Sequence, residues 1–105
     1  MTDSEFTRLA DETLARIESA LDNCTTDIDY ETHGGVLELT FANGTQIIVN
    51  KQSAAHEIWL AAKAGGFHFT WKDGQWRDTR DDSELLAALN RYASAQAGET
   101  IQLAL

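Results

Sequence analysis

The spacing of apolar residues changes from helical to alternating and back to helical, and this change constrains the fold of the 105-residue chain most strongly. Residues 3–22 place apolar side chains every three or four positions, as one face of a helix requires. From 27 to 78 the period becomes two, which is typical of strands, and 81–97 return to helical spacing. The turns within 27–78 leave no room for crossover helices, so we expect an antiparallel sheet.

Local signals predict the ends of the two helices. Thr2 and Glu5 have the spacing of a capping box, which places the start of the first helix immediately after Thr2. Asp81 or Asp82 is expected to cap the start of the last helix, and Gly98 is expected to end it.

The apolar faces of the helices predict how the elements pack. Each helix has one apolar face that it cannot bury alone, so both helices should lie on the same face of a sheet of about six strands. We therefore expect a single domain over residues 1–105, a two-layer α+β sandwich. After the last helix, an alternating segment is expected to lie in the groove between the helices through Ile101, Leu103 and Leu105.

Composition disfavours several classes of function. Asp and Glu number 17 against 8 Lys and Arg, giving a formal net charge of −9, so neither nucleic acid nor an anionic membrane is an expected partner. The lone Cys24 cannot form an internal disulfide and the first residues do not resemble a signal peptide, so we expect a cytoplasmic protein. The three histidines have no metal-ligand spacing and the serines lie in no nucleophile motif, so we expect no catalytic machinery.

Carboxylates form two regular rows. The helical row is Asp11, Glu18 and Asp22, and the strand row is Asp27, Asp29 and Glu31. Helical and alternating spacing place each row on one side of its own element. If the strand is an edge packed beside the helix, the rows merge into one acidic ridge, whose oxygen ligands suit hard cations such as iron, calcium and magnesium. The alternative is a solvated surface that protects an edge strand from aggregation.

Trp59 is expected on the sheet face that points away from both helices. Its neighbours Ile58 and Leu60 form a natural core pair, so Trp59 must point the other way. The polar residues predicted to share its face are Asn50, Gln52, Glu57 and His68. A tryptophan in such surroundings is typical of a protein-binding surface. Alternatively, Trp59 is half-buried or covered by another element.

The central segment resembles that of the frataxin family. The similar stretch runs from Gly34 to Ala61, GGVLELTFANGTQIIVNKQSAAHEIWLA, and continues through Gly65-Gly66-Phe67-His68-Phe69 and Trp76. The opening DSEFTRLAD and the closing QAGE are similar to bacterial frataxins, so the resemblance covers essentially the whole chain.

This resemblance implies a frataxin-like sandwich and a role in iron–sulfur cluster assembly. It implies weak binding of Fe²⁺ and Fe³⁺ along Glu18, Asp22 and the strand row. It also implies that Asn50, Gln52 and Trp59 lie on a surface that contacts the cysteine desulfurase and its scaffold protein. We expect a monomeric regulator or iron chaperone, in which iron could drive oligomerisation. The alternatives are a ferroxidase and iron-storage protein acting as an oligomer, and a protein-binding module that works without metal.

The chain departs from the family pattern in two places. Bacterial relatives often carry carboxylates at positions that are here occupied by Ser19, Asn23, Thr25 and Thr26. Ala54 stands near a position where the family usually has proline. We therefore expect a thinner acidic ridge and a turn before Trp59 without the stiffness of proline.

Overall fold

A computed structural model describes residues 1–104 and contains two helices and six strands. In chain order they are α1 (Asp3–Asp22), β1 (Ile28–His33), β2 (Val36–Phe41), β3 (Gln46–Gln52), β4 (Glu57–Ala62), β5 (Gly65–Lys72), β6 (Gln75–Asp78) and α2 (Leu85–Ala97). The predicted order of a helix, a run of strands and a second helix is confirmed.

The strands form one sheet in the order β1-β2-β3-β4-β5-β6, with every neighbouring pair antiparallel. Side chains alternate between the faces, and one face carries the apolar core against both helices. Its fully buried strand residues are Leu37, Leu39, Ile47, Val49, Ile58, Leu60 and Phe69. We call the sheet face that points away from the helices the open face. The two-layer α+β sandwich predicted from the sequence is thereby confirmed.

Helix α1 packs on the sheet through the predicted apolar residues. Phe6, Ala10 and Ile17 are fully buried, and the Phe6 ring packs edge-on against Trp76 with centroids 6.0 Å apart. The indole Nε1 of Trp76 donates to Thr13 Oγ1 at 2.9 Å, so this buried polar atom is satisfied. Neither helix within residues 1–104 is long and apolar enough to span a membrane.

The capping box at the start of α1 is confirmed. Glu5 N donates to Thr2 Oγ1 at 3.1 Å, and Thr2 N donates to Glu5 Oε1 at 3.2 Å. The hydrogen bond from the Thr2 backbone lowers the pKa of Glu5 below its usual value, because it favours the carboxylate. These bonds satisfy backbone groups that the first turn of a helix otherwise leaves unpaired.

The predicted start of α2 at Asp81 or Asp82 is wrong. The helix begins at Leu85, and its cap is Glu84, whose carboxylate accepts from Leu86 N at 2.8 Å. Asp81 instead closes a turn by accepting from Ser83 N at 2.9 Å, and Asp82 has a φ of 65°, outside helical geometry. The predicted end is confirmed, because Gly98 is left-handed with a φ of 73°.

The segment after α2 is extended and buries Ile101 and Leu103, as predicted. Asn90 on α2 bonds the Leu103 backbone in both directions, accepting from N at 2.8 Å and donating to O at 3.2 Å. Ser94 does the same for Ile101, at 2.8 and 3.2 Å. The predicted burial of Leu105 lies outside the described residues.

Candidate functional site

The helical row contacts the sheet at both of its ends, at β3 through Asp11 and at the β1 edge through Asp22. Near the start of the row, Asp11 Oδ1 accepts from Lys51 Nζ at 2.9 Å. At its end, Asp22 Oδ1 accepts from the Tyr30 hydroxyl of β1 at 2.6 Å. Asp11 and Asp22 are exposed and Glu18 is half-buried. The condition for the two rows to merge is therefore met: the first strand is an edge of the sheet and contacts the first helix.

Tyr30 is the point at which two helical carboxylates meet the strand. Its pKa lies above the usual value, first because its hydroxyl donates to Asp22 and then because of partial burial. The negative charges of Asp22 and Glu18 raise the pKa further, because they oppose a phenolate. Glu18 and Asp22 thus create a local negative field on the helix side of β1.

The strand row lies on the other side of the same edge. Tyr30 points towards α1 and pairs with the buried Leu39, so Asp29 and Glu31 must point to the open face. Asp27 precedes β1 and is exposed. The expectation that the two rows merge on one surface needs correction: they share an edge but face opposite sides of it. The alternation that aligns the strand row also separates it from the helix.

A cluster that the sequence interpretation missed lies at the hairpin end of the strand row. Glu31, His33 and Glu38 have ligand atoms that all lie within 4.8 Å of one another. Glu31 is directly opposite Glu38 in the β1–β2 register, and His33 Nε2 lies 3.4 Å from Glu38 Oε2. The spacing of His33 along the chain does not identify it as a metal ligand, because the cluster forms only by pairing between strands. The signal was the Gly34-Gly35 turn, since a two-residue loop sets that register.

The Trp59 surface consists of Asn50, Gln52, Glu57, Trp59 and His68, and the structure brings all of them together on the open face. Trp59 pairs with Asn50 on one side and His68 on the other, while Gln52 pairs with Glu57. The Trp59 and His68 rings stack with centroids 4.4 Å apart and an interplanar angle of 9°.

Glu57 holds this stack in place. Its Oε1 accepts from Trp59 Nε1 at 2.8 Å and lies 3.5 Å from His68 Nδ1. Beside the stack is a shallow cavity of about 160 Å³, which Ile48 and Ala61 also line. Trp59 is half-buried, so a preorganised aromatic platform remains accessible on the open face.

The family model of the frataxin-like domain matches residues 1–99. The chain belongs to the frataxin-like family. It is 57% identical over 104 residues to the iron-sulfur cluster assembly protein CyaY of Dechloromonas aromatica, covering 98% of this chain and 99% of the relative. It is 53% identical to the protein of the same name in Paraburkholderia phymatum, covering 99% of both chains. The family predicted from the sequence is confirmed.

Solved frataxin structures share this fold. A frataxin from Psychromonas ingrahamii superposes with a TM-score of 0.92 at 36% identity, covering all of both chains. A trimeric frataxin from the yeast Saccharomyces cerevisiae, complexed with ferrous iron, superposes with a TM-score of 0.69 at 26% identity. That match covers 90% of this chain and 87% of the yeast chain.

Two of the residues at which this frataxin departs from the family pattern, Asn23 and Thr26, make hydrogen bonds through their side chains. Asn23 caps the end of α1 and its side chain donates to Ser19 O at 3.0 Å, while Thr26 Oγ1 donates to Glu99 at 2.7 Å. These polar residues close the loop after α1.

The turn between β3 and β4 is held without proline. His56 Nε2 lies 2.6 Å from Asp3, and the His56 ring stacks on Phe6 with centroids 5.1 Å apart. The turn that contains Ala54 and leads to the Trp59 surface is therefore tied to the start of α1.

Proposed function

We propose that this frataxin is an iron-binding regulator or iron chaperone of iron–sulfur cluster assembly in the cytoplasm. In this proposal the β1 edge binds Fe²⁺ or Fe³⁺ weakly through the helical and strand rows. The Trp59 surface docks on the complex of the cysteine desulfurase and its scaffold protein. The protein acts as a monomer and contributes no catalytic step of its own.

The observation that carries the proposal is the shared open face of the strand row and the Trp59 surface. Asp29 and Glu31 project from β1, and Trp59 projects from β4 on the same side of one continuous sheet. A partner seated on Trp59 therefore covers the face that carries these carboxylates. The names of the two CyaY relatives, which match nearly full length, support a place in cluster assembly.

Electrostatics supports weak and reversible iron binding. The chain carries a formal net charge of −9, and the carboxylates of both rows are largely exposed to solvent. Such a surface attracts cations over a long range, but water competes for an ion at each exposed ligand. The hydrogen bond to Tyr30 and the ion pair to Lys51 also occupy lone pairs of Asp22 and Asp11. An ion held in this way is suited to transfer.

The trimeric yeast frataxin supports one alternative, a ferroxidase and iron-storage protein acting as an oligomer. Aerobic addition of Fe²⁺ distinguishes this function from the monomeric iron chaperone that we propose. A storage enzyme consumes oxygen faster than buffer and forms assemblies visible by sedimentation, whereas a monomeric chaperone does neither. The other alternative is a metal-independent binding module whose acidic carboxylates dock on a basic patch of the desulfurase. Such a module binds the desulfurase with unchanged affinity when all metal is chelated.

An anaerobic NMR titration tests the proposal directly. Fe²⁺ should first broaden amide resonances of the two rows, and the desulfurase–scaffold complex should first perturb those of the Trp59 surface. Where carboxylates of the rows are neutralised by substitution, Glu12→Gln serves as the charge-matched control. Glu12 is exposed on α1, belongs to neither row and contacts Arg8. Iron that broadened no row residue, or a complex that bound equally well without the Trp59 indole, would contradict the proposal.

A further inference from the structure

The Glu31, His33 and Glu38 cluster is built on rigid backbone. It lies beside the hairpin turn of Gly34 and Gly35, which have φ values of 58° and 78° and connect β1 directly to β2. Left-handed conformation at both positions is typical of the turn that matches the twist of antiparallel strands. A Cβ at Gly35 would come within 3.1 Å of Lys51 Cε, so the side chain of Lys51 packs closely against the turn. Ligands on such strands are better positioned than ligands on a loop.

Two like charges face each other in this cluster. Glu31 and Glu38 occupy directly opposite positions, an arrangement that is destabilising for like charges. Among residues 1–104, no lysine or arginine nitrogen lies within 4.0 Å of either carboxylate, and the only basic group that close is His33. Neighbouring Asp29 adds a further negative charge on the same face. A bound cation would relieve this repulsion.

The donor atoms determine which cation fits. One imidazole and two carboxylates favour divalent ions of intermediate softness, such as Co²⁺, Zn²⁺ and Fe²⁺, over Mg²⁺ and Ca²⁺, which prefer oxygen alone. We propose that Glu31, His33 and Glu38 form a site for a divalent transition-metal ion on the open face. This site differs from the rows of the proposed function by its histidine and by Glu38, and it does not depend on iron binding at α1.

The location of the site distinguishes it further. His33 pairs with Val36 at the end of the hairpin, Val36 pairs with Asn50 on β3, and Asn50 pairs with Trp59 on β4. Three protein ligands leave coordination positions open to water, as in zinc sites that bind an exogenous ligand. The site therefore lies on the same face as the Trp59 surface, with β3 between the β1–β2 hairpin and β4.

A titration with Co²⁺ alone, followed by NMR and calorimetry, tests this site. At the lowest Co²⁺ concentrations, the amide resonances of the β1–β2 hairpin should shift or broaden before those around Glu18 and Asp22. His33→Gln and Glu38→Gln should each weaken this binding by about tenfold or more, because even ligand-supporting residues change metal affinity by about 10- to 100-fold. Glu12→Gln removes the same charge as Glu38→Gln and should leave hairpin binding unchanged.

The outcomes separate this proposal from general attraction to an acidic protein. A hundredfold excess of Mg²⁺ should displace Co²⁺ from the rows and leave the hairpin occupied. The proposal is overturned if His33→Gln binds Co²⁺ at the hairpin like the wild type, or if Mg²⁺ displaces the hairpin ion as readily as the others. Thermal unfolding confirms that each variant remains folded. Iron that broadened no row residue outside the hairpin would contradict the proposed function without affecting this result.

Discussion

Trp59→Ala should impair binding more than folding. The indole is half-buried, stacks on His68 at 4.4 Å and donates to Glu57 at 2.8 Å. Losing an aromatic stack costs about 0.5–1.5 kcal/mol. Losing a partly exposed hydrogen bond costs a similar amount, about 0.5–1.5 kcal/mol. The two contacts share one side chain, so we expect the free energy of unfolding to fall by about 1–2 kcal/mol.

Leu60→Ala is the matched control, because Leu60 is adjacent in the chain and faces the helices with 1% exposure. A buried leucine cut to alanine costs about 2–5 kcal/mol, out of a typical total of about 5–15 kcal/mol. Removing a central interface tryptophan commonly costs about 2 kcal/mol or more of binding energy, roughly thirtyfold in affinity. Leu60→Ala should therefore lower stability more, and Trp59→Ala should lower partner affinity more.

Urea unfolding and calorimetric binding to the desulfurase–scaffold complex measure both effects on the same samples. Trp59→Phe preserves a stacking ring but removes the donor to Glu57, so its affinity should fall between the wild type and Trp59→Ala. If Trp59→Ala unfolded the protein while Leu60→Ala left it intact, the assignment of faces would be wrong. If Trp59→Ala folded and bound like the wild type, the face assignment would stand but the docking surface would lie elsewhere.

Three further predictions follow from the edge and the tail. The first concerns a triple variant in which the whole strand row is neutralised by Asp27→Asn, Asp29→Asn and Glu31→Gln. Its iron affinity, measured by calorimetry, should be lower than that of the wild type. Its melting temperature should stay equal or rise, because like charges that repel one another are removed. An unchanged iron affinity would place the metal elsewhere. Truncation after Glu99 should lower the melting temperature by at least about 10 °C. The reason is that burial of Ile101 and of Leu103 each stabilises the fold by about 1.5–3 kcal/mol. An unchanged melting temperature would contradict the packing of this segment. Because the pKa of Tyr30 is raised in the fold, its neutral phenol stabilises the protein below about pH 10, and this stability is lost as pH rises through the folded-state pKa. Urea melts of the wild type should therefore weaken more steeply with alkali than those of Tyr30→Phe, and parallel curves would refute the contact with Asp22.

Local periodicity was sufficient to predict the fold. The capping box at Thr2 and the apolar spacing of α1 depend on contacts within one helical turn, so they appear directly in the sequence. The alternation around Trp59 assigned it to the open face for the same reason, since successive side chains of a strand must point to opposite sides. The start of α2 was mispredicted because Asp81 and Asp82 have the preferences of a helix cap, but they belong to a turn connected to β6.

The candidate site was predicted as a set of residues but not as an arrangement. The sequence determined which carboxylates share a side of α1 or of β1, because each row depends on the geometry of one element. Only the tertiary structure decided that the rows face opposite sides of an edge. It also joined Asp11 to Lys51, 40 positions away, and buried Gln96 between β3 and the start of the β4–β5 turn. Such contacts depend on how separate elements pack, and no local spacing of side chains encodes the distance between two elements that meet only after folding.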